Sequence, residues 1–315
     1  MTGHRTTNVA ASVHARLLNR SRRTLEDFQF LLQRYAAERF LYRLGQSMHR
    51  DRYVLKGAML FALWGGSIYR PTRDLDFTGY GSSDAENVLA SLRDVCTFPV
   101  IDDGLPFEAA TLAAEPIRGD ANYDGLRVRF EAKLGKAHIP MQIDVGFGNA
   151  IEPPANDVAY PTLLDAPAPN IRAYPHEAVV AEKLHALVVI GERNSRLKDF
   201  YDLHALAQQF SFDGNRLARA IAATFERRRT GIEPTVPAPL APRFFADEPR
   251  AAQWRAYLTR NALPGAPADF AAVGEVLQSF LGPVWNALAA HRAFSDAWPP
   301  AGPWAPRASS KEFRK

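Results

Sequence analysis

The sequence predicts an α+β fold, in which an N-terminal domain with a mixed or antiparallel sheet flanked by helices precedes a mainly helical C-terminal domain. Apolar residues recur at helical spacing before residue 50 and again after residue 170, whereas between them they alternate in the short runs typical of strands. Prolines cluster between residues 152 and 170, which indicates a boundary between the two patterns. The 315 residues are enough for two domains of ordinary size.

The composition is that of an ordinary globular protein, with 47% hydrophobic and 23% charged residues. The single cysteine, Cys96, cannot form an intramolecular disulfide, and the eight histidines show no zinc-type spacing. No segment reaches the roughly 18 to 20 apolar residues of a membrane span, and the N-terminus lacks a signal-peptide run. We therefore expect a cytoplasmic protein without a membrane partner. The net charge of +4 permits a nucleic-acid or nucleotide partner without requiring one.

Helices begin the predicted N-terminal domain, which we place at residues 1 to 152. Charged and apolar residues at helical spacing from about 13 to 49 predict amphipathic helices with a packing role. A short apolar helix is expected over residues 54 to 64. The alternation over residues 73 to 77 then predicts a strand.

The rest of this domain is predicted to contain a helix and a strand pair. Ser83 and Glu86 have the spacing of a capping box, which predicts a helix running to about residue 95. Residues 126 to 134 and 138 to 147 are expected to pair as antiparallel strands, joined by a turn at Gly135.

Five prolines predict a linker from about residue 152 to 170. The helical domain that follows is placed at residues 170 to 297, and the Pro-rich, basic stretch at residues 298 to 315 is expected to be a loose tail. Within the helical domain, helices are predicted over residues 175 to 190, 197 to 210, 251 to 259 and 270 to 290, with a Pro-rich loop over 234 to 249.

Asp74 and Asp76 are the candidate metal ligands. Residues two apart in a strand face the same side, so the two carboxylates project together while Leu75 and Phe77 face the core. Mg²⁺ is usually held by one or two carboxylates together with substrate phosphates, and Mn²⁺ takes similar oxygen ligands. The pair therefore predicts a site for Mg²⁺ or Mn²⁺. Two solvated charges at a strand end are the alternative.

The residues ahead of the acids favour a phosphate-binding site. Lys56 and Gly57 open the predicted apolar helix, and helix N-termini with glycine bind phosphate through their N–H groups. The cationic Arg70 and the hydroxyl of Thr72 follow, and Thr72 would share the face of the acids. The alternative for Thr72 is an ordinary β-branched strand residue.

Asp144 is a third candidate ligand. Strand alternation places it opposite its core-facing neighbours, and an acid in such a strand is costly unless it is paired or bound to metal. If its strand lies beside that of Asp74 and Asp76, three carboxylates meet, which is enough for a two-metal site. A salt bridge to Arg127 or Arg129 is the alternative.

In the helical domain the candidate site residues are Lys183, Asp199 and Asp202. The stem of Lys183 lies along an apolar helix face, so its ammonium group needs a partner, either a triphosphate or an acid such as Glu177. Asp199 and Asp202 are three apart and share a helix face. Their simplest role is to hold Lys183 or an arginine. The alternative is a direct contact of Asp199 with metal or nucleotide.

These motifs together resemble the AbiEii/AbiGii-type toxin nucleotidyltransferases of the DNA polymerase β superfamily, which include the MenT toxins. Lys-Gly-Ala from Lys56, followed by Arg-Pro-Thr-Arg-Asp-Leu-Asp ending at Asp76, is similar to the family's Lys-Gly-Gly segment and its Arg-x-Ser/Thr-x-Asp-Leu/Ile-Asp motif. Ile-Asp-Val around Asp144 is similar to its third-carboxylate strand. Ala58 departs from the family pattern because it replaces the second glycine.

The helical half continues the resemblance. Residues 177 to 183 look like the family's Glu-x-x-x-Ala-Glu-Lys-Leu motif, and residues 198 to 203 look like its Arg/Lys-Asp-x-Tyr-Asp-Leu motif. The resemblance therefore covers about residues 56 to 206, with the motifs in the family's order.

The resemblance implies metal-dependent transfer of a nucleoside monophosphate from a nucleoside triphosphate to the 3′ acceptor end of tRNA. Such a reaction blocks translation, and the implied partner is an antitoxin encoded nearby. By the resemblance, Asp74 and Asp76 hold metal, with Asp144 beside them. Lys183 contacts the triphosphate and Asp199 completes the catalytic site. Nucleotide contacts are assigned to Lys56, Gly57, Arg70, Thr72, Lys183 and Asp202.

Two other functions stay open: the same centre modifies a protein hydroxyl or a small metabolite, or the chain is a non-catalytic relative that keeps the acids to bind a partner. Arg227, Arg228 and Arg229 are candidates for guiding the tRNA acceptor stem, with a solvated helix end as the alternative. Asp76→Ala is expected to abolish transfer with the fold intact. Lys183→Ala is expected to weaken nucleotide use more than folding.

Overall fold

The computed structural model describes residues 8 to 65, 72 to 117, 125 to 263 and 266 to 307. The chain forms two compact units. The first runs to Asn149 and includes Ala155–Tyr174, and the second contains Ala150–Pro154 and continues from Pro175. The first unit combines a mixed sheet with helices and the second is mainly helical, so the predicted α+β class is confirmed.

A seven-stranded mixed sheet is the centre of the first unit. The helices of this unit are α1 (Val9–Thr24), α2 (Phe28–Gln46), α3 (Leu60–Gly65) and α4 (Ala85–Cys96). The strands are β1 (Tyr53–Lys56), β2 (Asp74–Gly79), β3 (Phe107–Pro116), β4 (Gly125–Leu134), β5 (Ala137–Phe147), β6 (Asn156–Ala159) and β7 (Asn170–Ala173). Their spatial order is β3, β4, β5, β2, β1, β7, β6. The β2/β5 and β1/β7 pairs are parallel and the others antiparallel.

One face of the sheet packs on α2. The carboxylate of Asp27 caps this helix by accepting a hydrogen bond from the Phe30 N–H at 2.8 Å. Phe40 of α2 then packs against Phe107 and Phe130 of the sheet, with ring centroids 5.8 Å and 5.7 Å apart. The core therefore lies on the helical side of the sheet.

The chain before β2 differs from its prediction as a single helix over residues 54 to 64. It forms β1, then a 3₁₀ turn at Gly57–Met59, and only then α3. Because β1 lies between β2 and β7 and is buried, its residues form a continuous apolar run, which periodicity cannot distinguish from a buried helix. The cap of α4 also differs, since Asp84, rather than Ser83, accepts from the N–H three residues on.

The predicted antiparallel pair is confirmed by β4 and β5. They pair from Gly125 opposite Gly146 to Leu134 opposite Ala137. The turn between them uses Gly135 at a φ of +61°, a conformation that favours glycine.

The Pro-rich segment after residue 152 belongs largely to the first unit, although the sequence predicted a linker there. β7 pairs in parallel with β1, and β6 pairs antiparallel with β7 at the edge of the sheet. Tyr160 is fully buried and donates a hydrogen bond from its hydroxyl to the Met59 carbonyl at 3.1 Å. Proline is tolerated beside edge strands, so its frequency did not identify a linker.

Helices make up most of the second unit. They are α5 (His176–Ile190), α6 (Leu197–Gln209), α7 (Gly214–Arg227), α8 (Pro242–Phe245), α9 (Glu248–Asn261) and α10 (Phe270–Ala289), and two short strands, β8 (Phe212–Asp213) and β9 (Ala297–Trp298), pair with each other. The predicted helices correspond to α5, α6, α9 and α10. The short α8 lies within the predicted Pro-rich loop. Across the described residues, no helix has both the length and the apolar character needed to cross a bilayer.

An aromatic core holds the second unit together. Phe200 of α6 stacks on Phe244 at 5.5 Å and meets Phe270 edge-on at the same distance. Near the C-terminus, Trp298 is 2% exposed and packs against Phe280 at 4.9 Å. The predicted loose tail is therefore wrong at its start, because the chain there contributes to the core; residues 308 to 315 lie outside the described part.

Candidate functional site

Asp74 and Asp76 lie on β2 as predicted, with Leu75 and Phe77 buried on the opposite face. Both acids are partly exposed. Strand β5 lies beside β2, and Asp76 is the register partner of Asp144. On the other side, β1 places Lys56 opposite Asp76. The strand of Asp144 therefore lies beside that of Asp74 and Asp76, as three neighbouring carboxylates require.

Asp144 is engaged by a neighbouring arginine. Arg127 on β4 donates from Nε to Oδ1 at 2.9 Å and from Nη2 to Oδ2 at 2.7 Å. This bidentate bond raises the pKa of the Arg127 guanidinium, and the charge of Asp74 adds to the effect. The salt-bridge alternative for Asp144 is thus present.

No three His, Cys, Asp or Glu side chains of the described segments are arranged as a metal-binding group. The metal roles of Asp74, Asp76 and Asp144 stay predictions. The simplest predicted site has one cation held by two carboxylates and by the phosphates of the substrate.

The backbone approaches the acids closely at Gly57. Its φ is +72°, and a Cβ atom there would lie 2.1 Å from Asp76 Oδ2 and 2.8 Å from Asp76 Cβ. Only glycine fits both the conformation and the space. The positive φ falls on Gly57, and Ala58 is not among the residues with positive φ, so alanine is compatible with the family's second glycine position.

A polar network that the sequence did not predict continues along β2. Thr78 shares the face of Asp74 and Asp76 and lies 2.5 Å from the hydroxyl of Tyr174. The side-chain amide of Asn149 donates to Thr78 Oγ1 at 2.8 Å. Lys56 Nζ lies 5.9 Å from the centroid of the Tyr174 ring. The alternation of polar residues on β2 was the only signal in the sequence for this network.

Two predicted nucleotide contacts precede β2. Thr72 is partly exposed and lies just before the strand, which begins at Asp74. Arg70 lies outside the described residues. The contacts of both with nucleotide stay predictions.

The second unit contains a separate cluster of charges. Lys183 Nζ on α5 is 2.9 Å from Asp199 Oδ1 and 2.7 Å from Asp202 Oδ2, both on α6. Arg196 Nε is 2.8 Å from the other oxygen of Asp199. Holding Lys183 was the simplest role considered for these acids. Glu177 instead pairs with Arg216 at 3.1 Å.

The acids of these ion pairs are buried. The side chains of Asp199 and Asp202 are 2% and 0% exposed. Burial raises the pKa of Asp199, but the positive charges of Lys183 and Arg196 outweigh it, and the pKa lies below its ordinary value. The cluster therefore keeps Asp199 ionised inside the unit, where two cations, Lys183 and Arg196, balance the two carboxylates.

Lys183→Ala is expected to lower the free energy of unfolding by about 3 to 5 kcal/mol at pH 7, because it removes the cation from two buried carboxylates. This changes the expectation from sequence, which placed the main effect on nucleotide use. Without the lysine, less positive charge opposes the effect of burial, so the pKa of Asp199 rises in the folded state. The stability lost relative to the wild type should then become smaller as the pH falls from 7 towards 4.5.

Urea titrations between pH 7 and 4.5 measure this difference. The quantity compared is the difference in stability between variant and wild type at each pH, because the other titrating groups are common to both. The lowered pKa of Asp199 in the wild type costs stability only at more acidic pH. Arg193→Ala, which removes an exposed cation just after α5, is the matched control and should change little. A loss in Lys183→Ala that is equal at every pH would contradict the account.

The basic run at the end of α7 includes an arginine that has an acidic partner. Arg227 ends the helix, Arg228 Nη2 lies 4.0 Å from Glu182 Oε1, and Arg229 has a φ of +52°. These residues lie at the end of a helix, as the alternative prediction had it. The prediction that they guide the acceptor stem is not tested by these contacts.

The sequence of this chain matches the model of a toxin family. The family model for the nucleotidyl transferase AbiEii toxin of a type IV toxin–antitoxin system matches residues 39–278. JHP933 from Helicobacter pylori is similar in structure, with 15% identity and a TM-score of 0.49 over 84% of this chain and 95% of that one. An H. pylori protein named as a nucleotidyltransferase has 15% identity and a TM-score of 0.48 over 84% and 98%. No curated protein matches.

Proposed function

Because this chain belongs to the AbiEii nucleotidyltransferase toxin family of type IV toxin–antitoxin systems, we propose that it transfers a nucleoside monophosphate from a nucleoside triphosphate to the 3′ acceptor end of tRNA. The carboxylate pair on β2, approached by the Gly57 backbone, is the observation that carries the proposal. Transfer to that end blocks translation and places the activity in the cytoplasm. The family implies an antitoxin partner.

Asp74 and Asp76 fit a divalent cation. They are partly exposed on one strand face, and the absence of a side chain at Gly57 lets the Asp76 carboxylate lie directly against the backbone there. We assign Mg²⁺ or Mn²⁺ to this pair, with Asp144 as a third ligand if Arg127 releases it. A bound cation of this kind neutralises phosphate charge and lowers the pKa of the attacking hydroxyl.

In the proposed reaction, the terminal hydroxyl oxygen of the tRNA forms a bond to the α-phosphorus of the triphosphate. The bond from that phosphorus to the bridging oxygen breaks, pyrophosphate leaves, and the hydroxyl proton passes to solvent. We assign to Lys183 a contact with the triphosphate, and to Asp199 the positioning of Lys183 through the 2.9 Å ion pair. The other proposed nucleotide contacts are Lys56, Gly57, Arg70 and Thr72. The contact expected for Asp202 is not proposed, because its side chain is 0% exposed and pairs with Lys183 at 2.7 Å.

A labelling experiment tests the acceptor class. The protein is incubated with Mg²⁺, each of the four α-labelled nucleoside triphosphates in turn, and either total RNA or total protein. The expected result is label in RNA of tRNA size, and removal of the 3′-terminal nucleotides should release that label. Label in protein would support a protein hydroxyl as acceptor instead. No label in either, with a folded sample, would support the non-catalytic reading and overturn the proposal.

A further inference from the structure

A cavity of about 380 Å³ lies in the second unit between the start of α6 and one side of α9. Its volume is within the range of roughly 300 to 1,000 Å³ that is typical of ligand pockets. Arg196 at the N-cap of α6 and Lys198 in its first turn line the cavity on one side. Gln253, Tyr257 and Arg260 line it from α9. Charged and polar side chains from the start of α6 and from α9 therefore line the cavity.

The lining is positive. Arg196, Lys198 and Arg260 are all exposed, and no carboxylate is among the described residues that line the cavity. Arg196 Nε is ion-paired with Asp199, but 47% of the Arg196 side chain is exposed, so an anion can still reach its guanidinium. Three cations around one concave surface favour a ligand with several phosphates.

An aromatic ring accompanies these cations. Tyr257 is partly exposed and is held in place by Trp254, whose ring lies 5.8 Å away at an interplanar angle of 29°. Gln253 adds an amide that both donates and accepts hydrogen bonds. Basic side chains combined with an aromatic surface are typical of sites for single-stranded nucleic acid, where phosphates meet cations and bases meet rings.

We propose that this cavity binds the phosphates of the single-stranded 3′ end of the RNA acceptor, with a base against Tyr257. The inference rests on the proposed function and gives the acceptor a binding site. Arg196 contributes to the cavity while its Nε binds Asp199, which in turn binds Lys183. An acceptor phosphate at Arg196 therefore lies next to the charge cluster of the second unit.

Fluorescence anisotropy of a labelled single-stranded RNA of eight nucleotides, ending in CCA, tests the proposal without any triphosphate. Lys198→Gln and Arg260→Gln are each expected to weaken RNA binding about 5- to 10-fold. Each should also reduce the slope of log affinity against log salt by about 0.7, the value for one lost phosphate contact on a single strand. Titrations in KCl between about 50 and 200 mM give both quantities.

Arg255→Gln is the matched control, since Arg255 lies on the same helix, binds Glu248 at 2.9 Å and is not among the cavity residues. It should change RNA affinity less than twofold. Wild-type affinity in the Lys198→Gln/Arg260→Gln double variant, or no RNA binding by the wild type, would overturn the proposal.

A second arm follows a fluorescent nucleoside triphosphate with the same variants. Unchanged triphosphate binding with weakened RNA binding supports the proposal, whereas the reverse pattern would assign the cavity to the nucleotide and overturn it. The test is independent of catalysis. If total protein alone is labelled in the transfer assay while RNA binding still depends on the cavity charges, the proposed function fails, and the cavity remains a binding site for single-stranded RNA.

Discussion

Asp76→Ala is expected to lower the rate of nucleotide transfer about a hundredfold or more while leaving the fold intact. The substitution removes one of the two carboxylates proposed to hold the cation. Asp76 is partly exposed on the face of β2 opposite the buried Leu75 and Phe77, so its loss opens no core cavity. It also relieves repulsion from Asp74. Label transferred per minute at saturating triphosphate measures the rate, and thermal unfolding measures the fold.

Glu86→Ala is the matched control for this prediction. Glu86 is an exposed acid in the first turn of α4, so its removal changes the net charge equally without touching β2. Its transfer rate should equal that of the wild type. Transfer by Asp76→Ala within a few-fold of this control would show that the carboxylate pair is not the reaction centre.

Gly57→Ala is expected to reduce both stability and transfer. Alanine at a φ of +72° is strained by about 1 to 3 kcal/mol. Its Cβ would also lie 2.8 Å from the Cβ of Asp76, so either the β1 end or the acid must shift. Because the shift displaces a proposed cation ligand, we expect a loss of transfer close to that of Asp76→Ala. Urea unfolding and the labelling assay measure the two effects.

Gly135→Ala separates strain from the clash at Gly57. Gly135 has a similar φ of +61° but lies in the turn after β4 with no atom within 4 Å of its Cβ position. This variant should lose stability through strain alone and keep full transfer. Should Gly57→Ala lose no more stability than Gly135→Ala and retain its activity, the close approach of the backbone to Asp76 would have no functional role.

Local patterns predicted those parts of the fold that depend on neighbours along the chain. The β4/β5 pair was predicted within one residue at each end, because alternation and a turn glycine occur together there. β1 was predicted as a helix, because a short apolar run fits both structures and only the strands on either side decide between them. The role of residues 156 to 173 as strands of the first unit depends in the same way on distant pairing.

The same distinction applies to the candidate sites. The sequence predicted Asp199, Asp202 and Lys183 as site residues, and it left Arg127 and Arg129 as alternative partners of Asp144. It could not decide between these partners, because only the strand register brings Asp144 opposite Arg127. In the same way, only the packing of two helices brings Lys183 into contact with its acids. The cavity beside Arg196 was not predicted at all. It requires α9 to lie against α6, and no local pattern encodes the distance between two helices.

By itself, the sequence determined that Asp74 and Asp76 share one face of a strand and that Asp199 and Asp202 share one face of a helix, because side-chain direction follows the backbone period. Only the tertiary structure decided which cation meets each acid, which glycine carries the positive φ beside Asp76, and where basic side chains enclose a cavity. These depend on contacts between residues far apart in the chain, which form only when strands pair and helices pack.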